Sequence, residues 1–220
     1  MGKHTVTHEG NLYVKTGDKG SLMREFFMDY FLGANCLGPK VVTYELKDKL
    51  VTEEMTGIQL SSDIYTSHPK KCVEKLVYAL KKLHSLPTTQ CSVVRREFKG
   101  ITGTFYTEWL PREWEVTVCD AVHFLKEHNY TFEKDHVIHG DACLPNIFDD
   151  GKFIDAGHGG IGDIHIDIFW ALWSLWYNLG TLEYTDLFLD LYGRDLVDVD
   201  KVKAVCYLEC FVYDQESWEG

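Results

Sequence analysis

The sequence predicts an α+β fold with two lobes, a small strand-rich lobe over residues 1–57 and a larger, mostly helical lobe over residues 58–220. Before Gly57, short runs of β-branched and apolar residues alternate with polar ones and are separated by turn-forming residues. After Gly57, apolar residues recur every three or four positions, as in amphipathic helices. A chain of 220 residues is also long enough to bury a core without disulfides or a structural metal.

The predicted first lobe consists of four strands and one helix. A turn at Gly10 joins the first two strands into a hairpin, and the helix follows Ser21, a residue type that favours the N-cap position. The helix is predicted to end at Gly33. The predicted strands are residues 4–8, 12–15, 39–44 and 49–53, and the predicted helix is residues 22–32.

The predicted second lobe contains five main helices and an irregular segment. Leu76, Leu80 and Leu83 illustrate the helical spacing of the first of them, and a run rich in Trp and Phe forms the third. The predicted helices lie around residues 73–83 and over residues 113–128, 167–179, 185–192 and 200–213, and residues 87–103 are predicted to be mostly loop.

Composition limits the partners of the chain. The formal net charge is -12, so nucleic acids and anionic membranes, which need clustered Lys and Arg, are not expected partners. An acidic surface suits a cationic ligand, although acidity also keeps a protein in solution. The seven cysteines form no CxxC pair, and the longest uncharged run, Ile168–Leu182, is too short to span a bilayer. We therefore expect a cytoplasmic protein.

One segment, Val137–Gly157, carries residues suited to chemistry. It places His139 and Asp141 in a loop, and Asn146 follows Asp141 by five residues. A tight turn at residues 149–151 then predicts a hairpin, which returns the chain and brings Asp155 beside Asn146.

This arrangement suits phosphoryl transfer. Mg²⁺ prefers a few hard oxygen ligands together with phosphate oxygens and water, and Asn146 and Asp155 offer such oxygens. Asp141 is predicted to orient the attacking hydroxyl and accept its proton, as the catalytic-loop Asp does in protein kinases. Asp, Asn and Gly also favour turns, but this ordered set is far more specific than any one of them. The segment therefore predicts a small-molecule kinase.

The segment resembles the aminoglycoside phosphotransferases, especially the 3'-phosphotransferase type that acts on kanamycin-like drugs. His139-Gly-Asp-Ala-Cys-Leu-Pro-Asn-Ile147 is similar to their catalytic loop, and Phe153-Ile-Asp-Ala-Gly157 is similar to their metal-binding segment. The resemblance is strong over residues 137–168 and looser elsewhere. It implies a protein-kinase-like two-lobed fold and an enzyme that confers antibiotic resistance by phosphorylating an aminoglycoside.

The same resemblance implies a nucleotide site in the first lobe. Lys15 is expected to bind the phosphates of ATP or GTP, and Glu25 is expected to hold Lys15 by an ion pair. Backbone groups between Glu53 and Met55 correspond to the hinge that pairs with the adenine edge. Eleven residues precede the strand that starts at Leu12. This leaves room for one short strand, so we expect a trimmed first lobe without a glycine-rich loop.

On the acceptor side, the resemblance points to three residues that would contact a cationic small-molecule substrate. These are Asp163, His158 and Glu209. Two other residues, His139 and Asp167, are expected to steady the catalytic loop rather than to react. A helix N-cap is the alternative role for Asp167.

Three departures from the family pattern leave alternatives open. His158 and Trp173 stand where the family has basic residues, and Cys210 stands where it has the second of two adjacent acids. One alternative is a kinase of another small amine alcohol. The other is a catalytically impaired relative that binds a nucleotide or a partner. The sequence does not indicate an oligomeric state.

Overall fold

The computed structural model describes residues 4–17, 20–45, 48–107, 110–111 and 114–212. Its first lobe is a four-stranded antiparallel sheet with the strand order β1-β2-β4-β3, accompanied by helix α1. The four predicted strands are all present. The elements are β1 (Thr5–Glu9), β2 (Leu12–Thr16), α1 (Met23–Ala34), β3 (Val41–Glu45) and β4 (Lys49–Glu53).

Strand β2 lies inside the sheet, between β1 and β4. Its register places Val14 opposite Val51 and Lys15 opposite Leu50 of β4. Val14 is buried, whereas every residue of the outer strand β1 is exposed. Because neighbours on both sides fix β2, the backbone of Lys15 has a defined position.

Helix α1 begins differently from the prediction. Its N-cap residue is Leu22, and no side chain caps the helix, so the predicted role of Ser21 is wrong. The backbone N–H of Ser21 instead donates to Oδ2 of Asp48 at 2.7 Å. Leu22 is completely buried, so apolar packing fixes the start of this helix in place of a capping hydroxyl.

The second lobe is mostly helical, with two short two-stranded sheets among its described residues. The predicted segment 87–103 contains no helix longer than one 3-10 turn at residues 88–90. The elements are α2 (Asp63–Thr66), α3 (Pro69–His84), β5 (Thr104–Phe105), α4 (Val118–His128), β6 (His136–Ile138), β7 (Gly160–Gly162), α5 (Ile164–Leu179), α6 (Thr185–Tyr192), α7 (Val199–Glu209) and β8 (Phe211–Val212).

Capping side chains decide where α4 and α5 begin. Helix α4 starts at Val118 because Thr117 and Asp120 form a reciprocal capping box; the predicted start at Glu113 lies outside the described residues. Helix α5 starts at Ile164, three residues before the predicted start, because Asp163 accepts a hydrogen bond from the backbone of His165. Asp163 is therefore the N-cap, and Asp167 lies inside the helix.

Helix α7 is shorter than predicted. It ends at Glu209, and the chain then turns into β8, where Phe211 pairs with Phe105 of β5. The predicted helix end at residue 213 lies outside the described residues. The change of direction places Glu209 at the end of a helix, next to the strand pair.

One apolar core connects α1 with the second lobe. It includes Met28 and Leu32 of α1, Leu76 and Leu80 of α3, and Phe153, all completely buried. A second cluster packs α5 against α4 and α7. Because α1 shares a core with the hairpin that carries Asp155, the two halves of the candidate site are held together by burial of apolar surface.

Helix α5 is the aromatic, largely apolar helix that the sequence indicated. Ile168, Ala171 and Leu175 are buried along one side of it. In the part of the chain that the structure describes, no helix is both long enough and apolar enough to cross a membrane. The apolar character of α5 is explained by its packing in the core.

Candidate active site

The catalytic loop follows β6, and the carboxylate of Asp167 fixes the first residues of the loop. Oδ2 of Asp167 accepts the backbone N–H of His139 at 2.8 Å, and Oδ1 accepts that of Gly140 at 2.7 Å. Nε2 of His84 lies 3.0 Å from Oδ2. Burial alone would raise the pKa of Asp167, but these hydrogen bonds and the nearby histidines hold it below its usual range. A completely buried, ionised carboxylate thus fixes the loop.

Gly140 sets the distance between the catalytic loop and the segment after Asp155. Its φ angle is +78°, in the region that favours glycine. A Cβ atom at this position would lie 2.3 Å from the carbonyl oxygen of His158. The two segments can approach this closely only because residue 140 has no side chain.

Asp141 and Asn146 are linked directly. Nδ2 of Asn146 donates to the backbone oxygen and to Oδ2 of Asp141, both at 3.0 Å. A short helical turn, Leu144–Asn146, shapes this stretch, and the N–H of Leu144 donates to Oγ of Ser174. With its nitrogen turned to Asp141, the amide of Asn146 directs its oxygen away from that residue.

The hairpin after Asn146 brings Asp155 back as predicted. Ile147 and Phe153 pair across it, and the N–H of Ile154 donates to the carbonyl of Asn146 at 3.0 Å. Asp155 adopts φ +60° and ψ +47°, a left-handed conformation that is unfavourable for residues other than glycine. Such backbone strain in a non-glycine residue is frequent at functional sites.

Lys15 lies between two carboxylates. Its Nζ is 2.7 Å from Oε2 of Glu25 on α1 and 2.8 Å from Oδ1 of Asp155. Burial would lower the pKa of Lys15, but the two carboxylates raise it above its usual value. For Asp155, burial would raise the pKa, but Lys15 lowers it. Lys15 is therefore a cation at neutral pH, aimed at the residue predicted to hold metal.

His139 is the first residue of the catalytic loop, and it is completely buried. Its Nε2 lies 2.9 Å from the carbonyl of Ile154, and its Nδ1 accepts the N–H of Asp141 at 3.3 Å. Both ring nitrogens are therefore engaged with backbone, and the ring connects the catalytic loop to the returning hairpin.

The donor atoms fit Mg²⁺. Asn146 and Asp155 present hard oxygens, and Mg²⁺ in phosphoryl-transfer sites takes one or two carboxylates together with phosphate oxygens and water. No group of three or more His, Cys, Asp or Glu side chains suited to a metal occurs among the described residues. Asn146 and Asp155 would therefore hold the metal together with phosphate oxygens and water.

The predicted hinge residues lie at the end of β4 and directly after it. The N–H of Glu53 donates to the carbonyl of Lys40, and that of Glu54 donates to the carbonyl of Asn11, both within 2.9 Å. The side chain of Glu53 pairs with Lys40 at 2.7 Å on the surface. Met55 lies just beyond the sheet, where the chain leaves the first lobe.

His158 lies beside the catalytic carboxylates. His158 is exposed and ends the short helical turn that follows Asp155. Desolvation lowers the pKa of the imidazole, and the charges of Asp141 and Asp155 oppose that effect. The structure therefore places the backbone of this predicted acceptor residue against Gly140, next to the predicted base Asp141.

Asp163 does not face the acceptor, which corrects the prediction. It is buried, and its oxygens accept the backbone N–H groups of Glu133 and His165, both at 2.9 Å. Nζ of Lys201 lies 2.6 Å from Oδ2. Protein groups satisfy the hydrogen-bonding capacity of this carboxylate. Asp163 therefore links α5 to α7 and does not bind the acceptor.

Glu209 has a cationic partner that the sequence did not reveal. Nη2 of Arg95 lies 3.1 Å from its Oε1. Burial raises the pKa of Glu209 and Arg95 opposes this rise, while the charge of Asp141 adds to it. Its partner Arg95 belongs to the segment that is hydrogen-bonded to Ile161 of β7, the strand next to β6.

The sequence did not indicate three other residues of the site region, His84, Tyr192 and Arg95. His84 follows the predicted helix at residues 73–83 and contacts Asp167, and its Nδ1 lies 2.7 Å from the hydroxyl of Tyr192. Arg95 falls in the segment predicted as loop. A His in the last turn of an amphipathic helix, on its buried side, was the one available signal for His84.

Taken together, a strand lysine paired with a helix glutamate, a loop carboxylate linked to an asparagine and a returning aspartate define a kinase-like phosphotransferase. The sequence profile of the phosphotransferase enzyme family matches residues 34–204. A probable aminoglycoside 3'-phosphotransferase of Lactococcus lactis is 30% identical over 221 residues, covering 94% of this chain and 84% of the relative. The chain belongs to this phosphotransferase family, which confirms the resemblance seen in the sequence.

Solved structures confirm the fold class. An aminoglycoside phosphotransferase of Streptomyces rimosus, in complex with ADP and streptomycin, superposes with a TM-score of 0.70 at 20% identity, covering 93% of this chain and 88% of that one. A choline/ethanolamine kinase family protein of Mesorhizobium loti superposes with a TM-score of 0.63 at 16% identity, covering 94% and 72% of the two chains. The predicted α+β, kinase-like architecture is therefore correct.

Proposed function

We propose that this protein transfers the γ-phosphoryl group of ATP or GTP to a hydroxyl group of an aminoglycoside-like acceptor. Two contacts carry the proposal: Lys15 lies 2.8 Å from Asp155, and Asn146, at the start of the hairpin that ends in Asp155, donates to Asp141. Family membership supports it, because curated relatives from several bacteria are named aminoglycoside 3'-phosphotransferases.

On the nucleotide side, Lys15 binds the phosphates and Glu25 fixes its position. Backbone groups between Glu53 and Met55 pair with the base, following the family pattern. Asn146 and Asp155 would hold Mg²⁺, which when bound neutralises charge on the phosphates. The complex of the Streptomyces rimosus relative with ADP supports a nucleotide donor.

In the transfer step, Asp141 orients the acceptor hydroxyl and accepts its proton. A bond forms between the hydroxyl oxygen and the γ-phosphorus, and the bond from that phosphorus to the β,γ-bridging oxygen breaks. The nucleoside diphosphate leaves with the electron pair of the broken bond. Asn146 holds Asp141 by its amide nitrogen, so the carboxylate is prepositioned.

The acceptor is a cation on this proposal. Asp141 and Glu209 offer negative charge, and the chain carries a net charge of -12. The Arg95–Glu209 ion pair reduces the negative charge available to the acceptor. This observation favours a second candidate with the same chemistry, a small amine alcohol that carries fewer ammonium groups.

The test is to incubate the purified protein with Mg-ATP or Mg-GTP and a panel of aminoglycosides and small amine alcohols. Mass spectrometry then detects a phosphorylated product, and calorimetry measures nucleotide binding separately. We expect one phosphoryl group on at least one aminoglycoside. Nucleotide binding without any phosphorylated acceptor would contradict the proposal and favour the catalytically impaired alternative.

A further inference from the structure

Asp141, Asp163 and Glu209 differ in how they are paired with cations. Lys201 lies 2.6 Å from Asp163, and Arg95 lies 3.1 Å from Glu209. Asp141 accepts a hydrogen bond from the neutral amide of Asn146. Within the described ranges of the chain, Asp141 is thus the one of these three carboxylates that has no ion pair.

The guanidinium of Arg95 is held in place from several directions. Its Cζ lies 4.2 Å from the centroid of the Phe98 ring, and Nη1 donates to the carbonyl of Arg96 at 2.7 Å. The backbone N–H of Arg95 donates to the carbonyl of Ile161 at 2.9 Å. The planar guanidinium is suited to such combined stacking and hydrogen bonding. Arg95 is therefore a preorganised cation rather than a free surface charge.

The ion pair is also shielded from solvent. The side chains of Arg95 and Glu209 are 15% and 22% exposed. Shielding strengthens the attraction between the two charges relative to an exposed pair. The side chain of Trp170 on α5 also lowers the pKa of Glu209 and so favours its charged form. Its carboxylate is thus engaged before any acceptor arrives.

The backbone of Arg95 is hydrogen-bonded to Ile161 of β7, and β7 pairs with β6, the strand that leads into the catalytic loop. The charge of Asp141 acts on Glu209, and the charge of Arg95 acts on His158. An ammonium group that approaches Glu209 therefore meets a carboxylate whose charge is already balanced, and a guanidinium that repels it. Asp141, in contrast, keeps its full attraction for a cation.

We propose that Arg95 is a built-in counter-ion of Glu209 and sets the charge of the acceptors that the enzyme prefers. With Arg95 in place, the acceptor side favours amine alcohols or aminoglycosides with few ammonium groups over highly charged ones. Glu209 then contributes little to acceptor affinity. This inference rests on the proposed function, because it concerns the acceptor of the same phosphoryl transfer.

The test compares R95M, which removes the charge but keeps an apolar stem against Phe98, with R95K, which keeps the charge. R96M is the matched control, since Arg96 is the exposed neighbouring arginine. The acceptors are aminoglycosides of one ring scaffold that differ in their number of amino groups, and KM and kcat are measured for each. Nucleotide KM is recorded for every variant.

We expect R95M to lower the KM of the most highly charged acceptor by about tenfold, while the least charged acceptor changes by less than about twofold. R95K and R96M are expected to keep the wild-type ratio of KM values. The double variant R95M/E209Q should lose the gain that R95M shows, because the unpaired carboxylate is then absent. A KM ratio in R95M equal to that in R96M would overturn the inference, as would a gain in R95M/E209Q as large as that in R95M.

A second measurement reports on the ion pair without any acceptor. Urea unfolding of R95M, E209Q and the double variant gives the coupling between the two side chains. We expect a favourable coupling, and its absence would overturn the inference. If the wild-type protein phosphorylates no acceptor at all, the proposed function fails and the specificity role fails with it. If the enzyme is active but R95M leaves the ratio of KM values unchanged, the specificity role alone is refuted.

Discussion

Replacing Gly140 by alanine tests whether the contact between the catalytic loop and residue 158 is essential. The new Cβ would lie 2.3 Å from the carbonyl oxygen and 2.6 Å from the carbonyl carbon of His158. Both are backbone atoms, so no side-chain rotation relieves the overlap. Either the catalytic loop or the segment after Asp155 must move.

The chain supplies a matched control for the backbone conformation. Gly10 has φ +66° and Gly140 has φ +78°, but a Cβ at Gly10 would meet nothing within 4 Å. The left-handed conformation costs alanine about 1–2 kcal/mol at either position. Overpacking adds about 1–3 kcal/mol at Gly140 alone, so G140A should destabilise the protein by about 2–5 kcal/mol in total.

Activity should separate the two variants further. A shift of about 1 Å between catalytic groups reduces turnover by as much as about 100-fold. We therefore expect G140A to lose most of its phosphoryl-transfer activity and G10A to keep it. Urea unfolding measures the free energies, and product formation under saturating Mg-ATP measures kcat. If G140A and G10A agreed in both measurements, the steric argument for this contact would be refuted.

Three further predictions concern single carboxylates and pH. D167N should lower the free energy of unfolding by about 2–3 kcal/mol, because one buried loop amide loses its acceptor. The control is D195N, since Asp195 is exposed, and equal urea midpoints of the two variants would contradict the prediction. D155N should reduce kcat by at least about 100-fold through loss of a metal ligand, whereas D150N in the same hairpin should not; a Mg²⁺ titration of kcat distinguishes them. Because the pKa values of Asp163 and Asp167 are lowered in the folded protein, their stabilisation is complete above about pH 5 and is lost as the pH falls through those lowered values. Unfolding measured across acidic pH should show this decline, and D167N should reduce its slope.

Residues that lie close together along the chain were predictable. The spacing of Asp141 and Asn146 and the tight hairpin before Asp155 are local features, so their proximity followed from turn chemistry. The same holds for the four short strands and for α3, whose apolar spacing is regular. The pair of Lys15 and Glu25 followed from the family resemblance, and the structure shows it at 2.7 Å.

Residues whose partners lie far away along the chain were not predictable. Arg95 and Glu209 are 114 positions apart, and no local pattern relates them. Asp163 resembled an acceptor-binding acid, but its ion pair with Lys201 depends on how α5 and α7 pack. Helix ends were misplaced for a similar reason. At Leu22 burial decides where α1 begins, and Ser21 bonds to Asp48 instead of capping.

The most direct test of the proposed chemistry is the rate of phosphoryl transfer in a single turnover by D141N. Asparagine keeps the size of Asp141 and its link to Asn146 but cannot accept the proton. We predict a transfer rate at least about 100-fold below that of the wild type, with an unchanged dissociation constant for Mg-ATP. A rate within about threefold of the wild type would contradict the assignment of Asp141 as the base.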